Sequence, residues 1–148
     1  MQETPVIFYA DDDQDDIFVF TEAAEDIDAH VEVFLMGESM LDAMYNPPPQ
    51  PTIVFVDLNM PEKSGYELIR EIKSSPFFKD IPVVVLSTAN DHKTITLAKR
   101  TGADYFITKP NSLPELKKAV KHTLDIDWKN NKPTTAGFHY NKSVGSAR

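Results

Sequence analysis

Residues 53–61 of the chain read IVFVDLNMP. The first four are apolar and mostly β-branched, and a proline-rich segment precedes them, so they predict a short buried strand. Asp57 follows this strand directly, at the end where open α/β sheets place their functional groups. We therefore expect a sheet protein whose chemistry is arranged around Asp57.

Three further apolar runs also lead into polar residues. Because parallel strands bring their carboxyl ends to one edge of a sheet, we expect those polar side chains to meet Asp57. Carboxylates, a hydroxyl and an amine in one place favour phosphoryl transfer to a carboxylate nucleophile. The residues concerned are Asp11, Asp12 and Asp13 after the first run, Ser87 after the second, and Lys109 with Pro110 after the third.

Five strand-like runs alternate with five helix-like patterns. Nearly continuous apolar strands of this kind predict a parallel sheet with helices on both faces. We expect an α/β fold of the flavodoxin-like, doubly wound (βα)5 type, a three-layer sandwich with strand order 2-1-3-4-5. Residues 1–126 form the predicted domain. Residues 127–148 have few apolar side chains and predict a mostly flexible tail, in which docking of Phe138 or Tyr140 is left open.

The composition argues against several classes of function. The 148 residues include no cysteine, which excludes disulfides, thiolate metal sites and cysteine nucleophiles. The net charge of -8 argues against nucleic-acid binding, which relies on Lys and Arg. No apolar stretch predicts a signal peptide or a membrane span, so we expect a cytoplasmic protein without a membrane partner.

The charge is distributed unevenly along the chain. Residues 1–62 carry 15 acidic and no basic side chains, whereas the remainder carries 15 basic and 8 acidic ones.

Adjacent carboxylates such as Asp11, Asp12 and Asp13 repel one another, and a hard cation such as Mg2+ relieves that repulsion. The alternative is that the acids of this stretch only cap the following helix, for which Gln14, Asp15 and Asp16 are candidates.

These motifs together resemble the receiver domain of two-component response regulators, of the CheY-like single-domain type, over about residues 5–126. The spacing of 30 positions from Asp57 to Ser87, and of 22 more to Lys109, is also that of the family. The resemblance rests on Ala10-Asp11-Asp12-Asp13, on Val56-Asp57-Leu58-Asn59-Met60-Pro61 with Gly65, on Leu86-Ser87-Thr88-Ala89, and on Thr108-Lys109-Pro110.

The resemblance implies a phosphoacceptor and a metal site. Asp57 would accept the phosphoryl group. Asp11 and Asp12 would bind Mg2+ together with Asp57 and the backbone carbonyl of Asn59. Asp13 would be less direct, with an ambiguity of one position among the three aspartates.

The resemblance also implies a switch. Lys109 would contact the phosphoryl group, and Ser87 would move to bond it. Phe106 would turn inward as Ser87 moves, although a static core residue is the alternative. Pro110 is a candidate for a cis peptide bond, which would fix the direction of Lys109.

The function implied is that of a stand-alone response regulator in a phosphorelay, not of an enzyme with turnover. Its partners would be a histidine kinase or a His-containing phosphotransfer protein, and a downstream protein target. One helix cannot bury all of residues 17–20, so Phe18 or Val19 is expected to face outward. The resemblance implies that the kinase binds beside this helix, which would make the outward residue part of a kinase-docking patch. A basic face would meet an acidic partner or a second copy in a homodimer, or is simply solvated. Its residues are Lys99, Arg100, Lys117, Lys118 and Lys121.

Three alternative functions follow from the same residues. A haloacid-dehalogenase-like phosphatase would use Asp11 and Asp13 as its nucleophile motif, but Asp57 would then have no role. A receiver whose site no longer cycles would serve as a binding scaffold. Nucleotide or flavin binding suits the topology, but the first β–α turn contains no glycine.

Overall fold

The structure is a computed structural model that describes residues 4–60, 62–130, 132–133 and 137–140. Its sheet has the order β2-β1-β3-β4-β5-β6, and all neighbouring strands are parallel. The expected order 2-1-3-4-5 is confirmed, with one further strand at the β5 edge. The elements are β1 Val6–Ala10, α1 Gln14–Asp26, β2 His30–Phe34, α2 Gly37–Met44, β3 Ile53–Val56, α3 Gly65–Ser74, β4 Val83–Ser87, α4 His92–Thr101, β5 Tyr105–Thr108, α5 Leu113–Leu124 and β6 His139–Tyr140.

The alternation of side chains along the strands separates two apolar clusters, one on each face of the sheet. Phe8, Val54 and Phe106 belong to the cluster that α2, α3 and α4 cover. Tyr9 and Phe55 belong to the cluster that α1 and α5 cover. All residues of β3 and β4 are buried, which explains their continuously apolar sequences.

The helices begin where side chains satisfy free backbone N–H groups. Ser64 and Glu67 form a reciprocal capping box at the start of α3, so this helix begins at a fixed distance from Asp57. Ser112 caps α5 in the same way through its hydroxyl. Over the described ranges, no helix is both long and apolar enough to cross a membrane.

Part of the predicted flexible tail is instead packed against the domain. The backbone N–H of Phe106 donates to the carbonyl of Phe138 at 3.0 Å, and β6 then pairs with β5 in parallel. Phe138 is buried in the cluster of Phe106, so this apolar contact explains the docking that tail composition did not reveal. The domain boundary at residue 126 stays a prediction.

Candidate functional site

Asp57 lies at the carboxyl end of β3, in the middle of the sheet. Its backbone N–H donates to the carbonyl of Ala10 on β1 at 2.9 Å, which continues the strand ladder into the site. The following loop passes very close to the start of α3. A Cβ atom on Gly65 would lie 2.3 Å from the Asp57 carbonyl oxygen and 2.7 Å from the Cα of Leu58. The backbone that carries Asp57 therefore requires glycine at this position.

Three carboxylates converge on one point beside this strand end. Asp11, Asp12 and Asp57 each offer an oxygen, and these oxygens lie within 4.8 Å of one another. Asp11 is fully buried and Asp57 nearly so, while Asp12 is exposed. Hard carboxylate oxygens on an open edge fit a divalent cation that keeps several waters, as Mg2+ does.

Asp13 has a different position from its two neighbours. Its carboxylate accepts the backbone N–H of Asp16 at 2.9 Å and thereby caps α1. This placement favours Asp11 and Asp12 over Asp13 as neighbours of Asp57, and their role as metal ligands stays a prediction.

Lys109, at the end of β5, reaches over the carboxylates. Its Nζ lies 2.6 Å from Asp16 Oδ2, 3.4 Å from Asp11 Oδ2 and 3.8 Å from Asp57 Oδ1. Burial acts to lower the pKa of Lys109, but the hydrogen bond to Asp16 and the nearby carboxylates outweigh it and raise that pKa. Lys109 is therefore a fixed positive charge within reach of Asp57.

The expectation of a cis bond at Pro110 is wrong. Among the described residues, cis peptide bonds precede Pro48 and Pro49, and the bond from Lys109 to Pro110 is not one of them. The direction of Lys109 has another cause. Its backbone N–H donates to the carbonyl of Ser87 at 2.7 Å, and its amine is held by the carboxylates.

The charge of Asp57 is unfavourable in the metal-free site. Burial raises the pKa of Asp57 to about 6, with further contributions from the charges of Asp11 and Asp12. Lys109 and a hydrogen bond from the backbone of Asn59 act in the opposite direction and only partly compensate. A cation bound among the carboxylates would favour the charged form of Asp57 and so oppose this rise in its pKa.

The predicted switch residues lie on the next two strands. Ser87 ends β4, is 2% exposed, and its Oγ accepts the backbone N–H of Ala89 at 3.1 Å. Phe106 is completely buried in β5, where its ring lies 6.5 Å from that of Phe138 and 5.5 Å from that of His139. The tail therefore covers the aromatic side chain that the resemblance singles out.

Three polar groups of the site have no signal in the sequence. From the sequence, Asp16 is only a candidate helix cap, but in the structure its carboxylate contacts the Lys109 amine from the first turn of α1. Tyr9 is part of an apolar strand, yet its hydroxyl donates to Asp11. Burial and the neighbouring carboxylates raise the pKa of Tyr9, so the phenol keeps its proton. His139 contacts Thr108 Oγ1 through Nε2 at 2.7 Å. The contacts of Asp16 and His139 join residues that are 93 and 31 positions apart, whereas Tyr9 and Asp11 are only two positions apart.

Phe18 faces outward from α1 with 66% of its surface exposed, whereas Val19 packs on the cluster of Phe20. The expectation of one outward apolar residue is thus met by Phe18. Members of the basic face have local partners: Lys117 contacts Asp26 on α1, and Lys99 lies 5.2 Å from the ring of Phe138.

Comparison with known proteins agrees with this geometry. The Rcp1 response regulator of Synechocystis is 36% identical over 77 residues, 52% of each chain. Chemotaxis protein CheV1 of Helicobacter pylori is 32% identical over 100 residues, 66% of this chain and 30% of that protein. The chain therefore spans about a third to a half of the length of these curated relatives.

Solved structures are similar over most of the chain. Response regulator RPA3017, in red light signaling of R. palustris, superposes with a TM-score of 0.75 at 29% identity, covering 88% of this chain and 99% of that one. The phosphorylated cyanobacterial phytochrome response regulator RcpA gives a TM-score of 0.72 at 31% identity, covering 82% and 91%. The Mn2+-bound form of Rcp1 gives 0.70 at 26% identity, covering 88% and 99%.

The family model for the response regulator receiver domain matches residues 7–121, a segment that contains the whole carboxylate and lysine site. With the fold, the site and most of the length in agreement, the chain belongs to the response regulator receiver domain family.

Proposed function

We propose that this chain accepts a phosphoryl group on Asp57 from a phosphohistidine donor, and that phosphorylation then changes its binding to a downstream protein. The observation that carries the proposal is the placement of Asp57 beside two other carboxylates and within 3.8 Å of the Lys109 amine. A carboxylate nucleophile in this setting has both a place for a cation and a fixed positive charge for the incoming phosphoryl oxygens.

In the proposed reaction, a carboxylate oxygen of Asp57 attacks the phosphorus of the donor phosphohistidine. A phosphorus–oxygen bond forms as the phosphorus–nitrogen bond breaks, and the electron pair returns to the imidazole, which takes a proton from solvent. Lys109 stabilises charge on the phosphoryl oxygens. A bound Mg2+ would supply the remaining positive charge next to those oxygens, held by Asp11, Asp12, Asp57 and the carbonyl of Asn59.

The phosphorylated state would act through residues beside the acceptor. Ser87 lies on β4, which neighbours β3, and Phe106 lies on β5, which neighbours β4. A movement of the Ser87 hydroxyl towards the phosphoryl group would therefore affect the packing of the Phe106 ring. Because the tail packs on Phe106, that movement would also alter the β5–β6 surface. Phosphorylation then shifts an equilibrium between two arrangements of this surface.

The donor would be a histidine kinase or a His-containing phosphotransfer protein in the cytoplasm. The names of the similar structures, which include phytochrome response regulators, favour a phytochrome-type kinase as that donor. The exposed Phe18 on α1 is the proposed apolar contact for it, because α1 begins beside the carboxylate site.

The test is intact mass spectrometry after incubation with acetyl phosphate and Mg2+. A single phosphoryl adduct is expected on the wild type, none on Asp57→Asn, and none without divalent metal. The absence of an adduct both with acetyl phosphate and with a phosphorylated histidine kinase would overturn the proposal. An adduct that persists in Asp57→Asn would place the acceptor elsewhere.

A further inference from the structure

One hydroxyl group is buried in the strand that leads to the carboxylate site. Tyr9 lies in β1 and is completely buried, and every other residue of that strand is apolar. Its phenol O–H donates to Asp11 Oδ2 at 2.5 Å. The contact joins a core side chain to one of the three converging carboxylates.

The ring of Tyr9 is held in place by aromatic neighbours. It stacks on Phe20 of α1, with ring centroids 4.1 Å apart and planes at 24°. Phe20 in turn meets Phe55 of β3 edge-on at 5.2 Å, two positions before Asp57. A ring fixed in this way holds its hydroxyl oxygen in one position beside Asp11.

Both oxygens of the Asp11 carboxylate have a donor. Oδ1 accepts the backbone N–H of Asp13 at 3.0 Å, and Oδ2 accepts the Tyr9 hydroxyl. Lys109 Nζ stands 3.4 Å from the same Oδ2, at the limit of a hydrogen bond. The Tyr9 hydroxyl is thus the closer of the two side-chain donors to that oxygen and limits the approach of Lys109.

We infer that Tyr9 is a positioning residue for the divalent cation of this site, an inference that rests on the metal site of the proposed function. Tyr9 holds the Asp11 carboxylate in the orientation that faces Asp12 and Asp57 before the cation arrives. Without the hydroxyl, Asp11 Oδ2 would turn towards Lys109, and a tighter ion pair would compete with the cation. The same turn would draw Lys109 away from Asp57.

The direct test measures the dissociation constant of Mg2+ for the unphosphorylated protein, with the backbone amide signals monitored by NMR during the titration. Tyr9→Phe keeps the ring and its stacking on Phe20, and it is expected to raise the Mg2+ dissociation constant about tenfold, the lower end of the effect of removing a partner that orients a metal ligand. Tyr105→Phe is the matched control, because it removes a tyrosine hydroxyl from β5 on the same face of the sheet. It is expected to bind Mg2+ as the wild type does.

A double-mutant cycle tests whether Tyr9 acts through Asp11. In an Asp11→Asn background, Tyr9→Phe should add little further loss of Mg2+ binding, because the oriented carboxylate is already gone. Losses that simply add would overturn the inference. So would a Tyr9→Phe variant that binds Mg2+ as tightly as the wild type.

The dependence of phosphorylation on Mg2+ supplies a second readout. For Tyr9→Phe, the rate with acetyl phosphate is expected to fall at low Mg2+ and to recover at saturating Mg2+. A rate that stays low at all Mg2+ concentrations would indicate a general structural role and would overturn the inference. If the wild type binds Mg2+ but takes no phosphoryl group, the proposed function fails while the role of Tyr9 stands. If the wild type binds no Mg2+, both fail.

Discussion

The Asp57 carboxylate carries an electrostatic cost in the metal-free protein. Burial raises the pKa of Asp57 from 3.8 to about 6, so the folded state binds a proton more tightly than the unfolded state does. Below about pH 4 both states are protonated and the cost is absent. It develops as the pH rises from about 4 to about 6, and above that it is constant.

This linkage predicts that Asp57→Asn stabilises the metal-free protein at neutral pH. The free energy of unfolding should rise by up to about 3 kcal/mol at pH 7.5, since one pKa unit corresponds to about 1.4 kcal/mol, and by only about 0.5 kcal/mol at pH 4. Urea denaturation in EDTA at both pH values measures the difference, with the exposed Asp80→Asn as control. A gain that is the same at both pH values would contradict the electrostatic explanation.

Gly65 is expected to be irreplaceable because of its distance to the acceptor strand. In Gly65→Ala the new Cβ would meet the Asp57 carbonyl at 2.3 Å, and neither backbone segment yields easily. We expect a loss of about 2 kcal/mol or more in the free energy of unfolding and slower phosphorylation of Asp57. Gly37→Ala is the matched control, because its Cβ would first meet the flexible Lys63 side chain at 3.1 Å. Equal effects of the two substitutions would contradict this explanation.

The exposed ring of Phe18 is expected to affect the rate of phosphorylation by a protein donor but not by a small-molecule donor. Phe18→Ala should slow phosphotransfer from the kinase without changing phosphorylation by acetyl phosphate, because the small donor needs no docking surface. Phe77→Ala, which removes a ring that is 75% exposed in the loop between α3 and β4, is the control. Unchanged transfer from the kinase to Phe18→Ala would exclude this docking contact.

Among the elements, β6 and the preceding Phe138 pack the tail against Phe106, the aromatic residue that is predicted to switch. Phe138 is 4% exposed and packs with Phe106, so Phe138→Ala should lower the free energy of unfolding by about 2–3 kcal/mol. Phe77→Ala, which removes an exposed ring, should cost much less. Denaturant unfolding compares them, and equal losses would mean that the tail adds nothing to the stability of the domain.

The elements show where the sequence was informative. The strands β3 and β4 are fully buried, and all their residues except the terminal Ser87 are apolar, a pattern that local sequence specifies directly. The strand β6 consists of His139 and Tyr140 in a polar segment, and it exists only because Phe138 finds the cluster of Phe106. No local sequence pattern predicts such a strand, because its stability comes from a tertiary contact.

For the molecule as a whole, we expect divalent cations to stabilise the folded state, because carboxylates from the acidic half of the chain converge at one point. A cation that binds the folded state at 100 times its dissociation constant adds about 2.7 kcal/mol to the free energy of unfolding. We expect this gain with Mg2+ in the wild type and much less in Asp12→Asn. Asp15→Asn is the matched control, an exposed acid of the same stretch outside the convergent carboxylates. Denaturation with and without Mg2+ at constant ionic strength measures it, and an equal gain in both variants would indicate general screening.

The site was predictable where the strand order alone brings residues together. Asp57, Ser87 and Lys109 stand at the carboxyl ends of three neighbouring parallel strands, so their placement at one edge of the sheet follows from the topology. The isomer of the bond before Pro110 and the hydrogen bond from Tyr9 to Asp11 do not follow from it. Both depend on side-chain packing around the site, which residue types and spacing leave undetermined.

The short strand β6 also changes what the sheet offers to other chains. An uncovered β5 would leave a row of backbone N–H and C=O groups at Phe106 and Ile107, which is a template for pairing with a strand of another molecule. With β6 in place, the outermost described strand has only two residues, and such a short edge gives a partner little to extend. The docked tail therefore protects this end of the sheet against edge-to-edge aggregation.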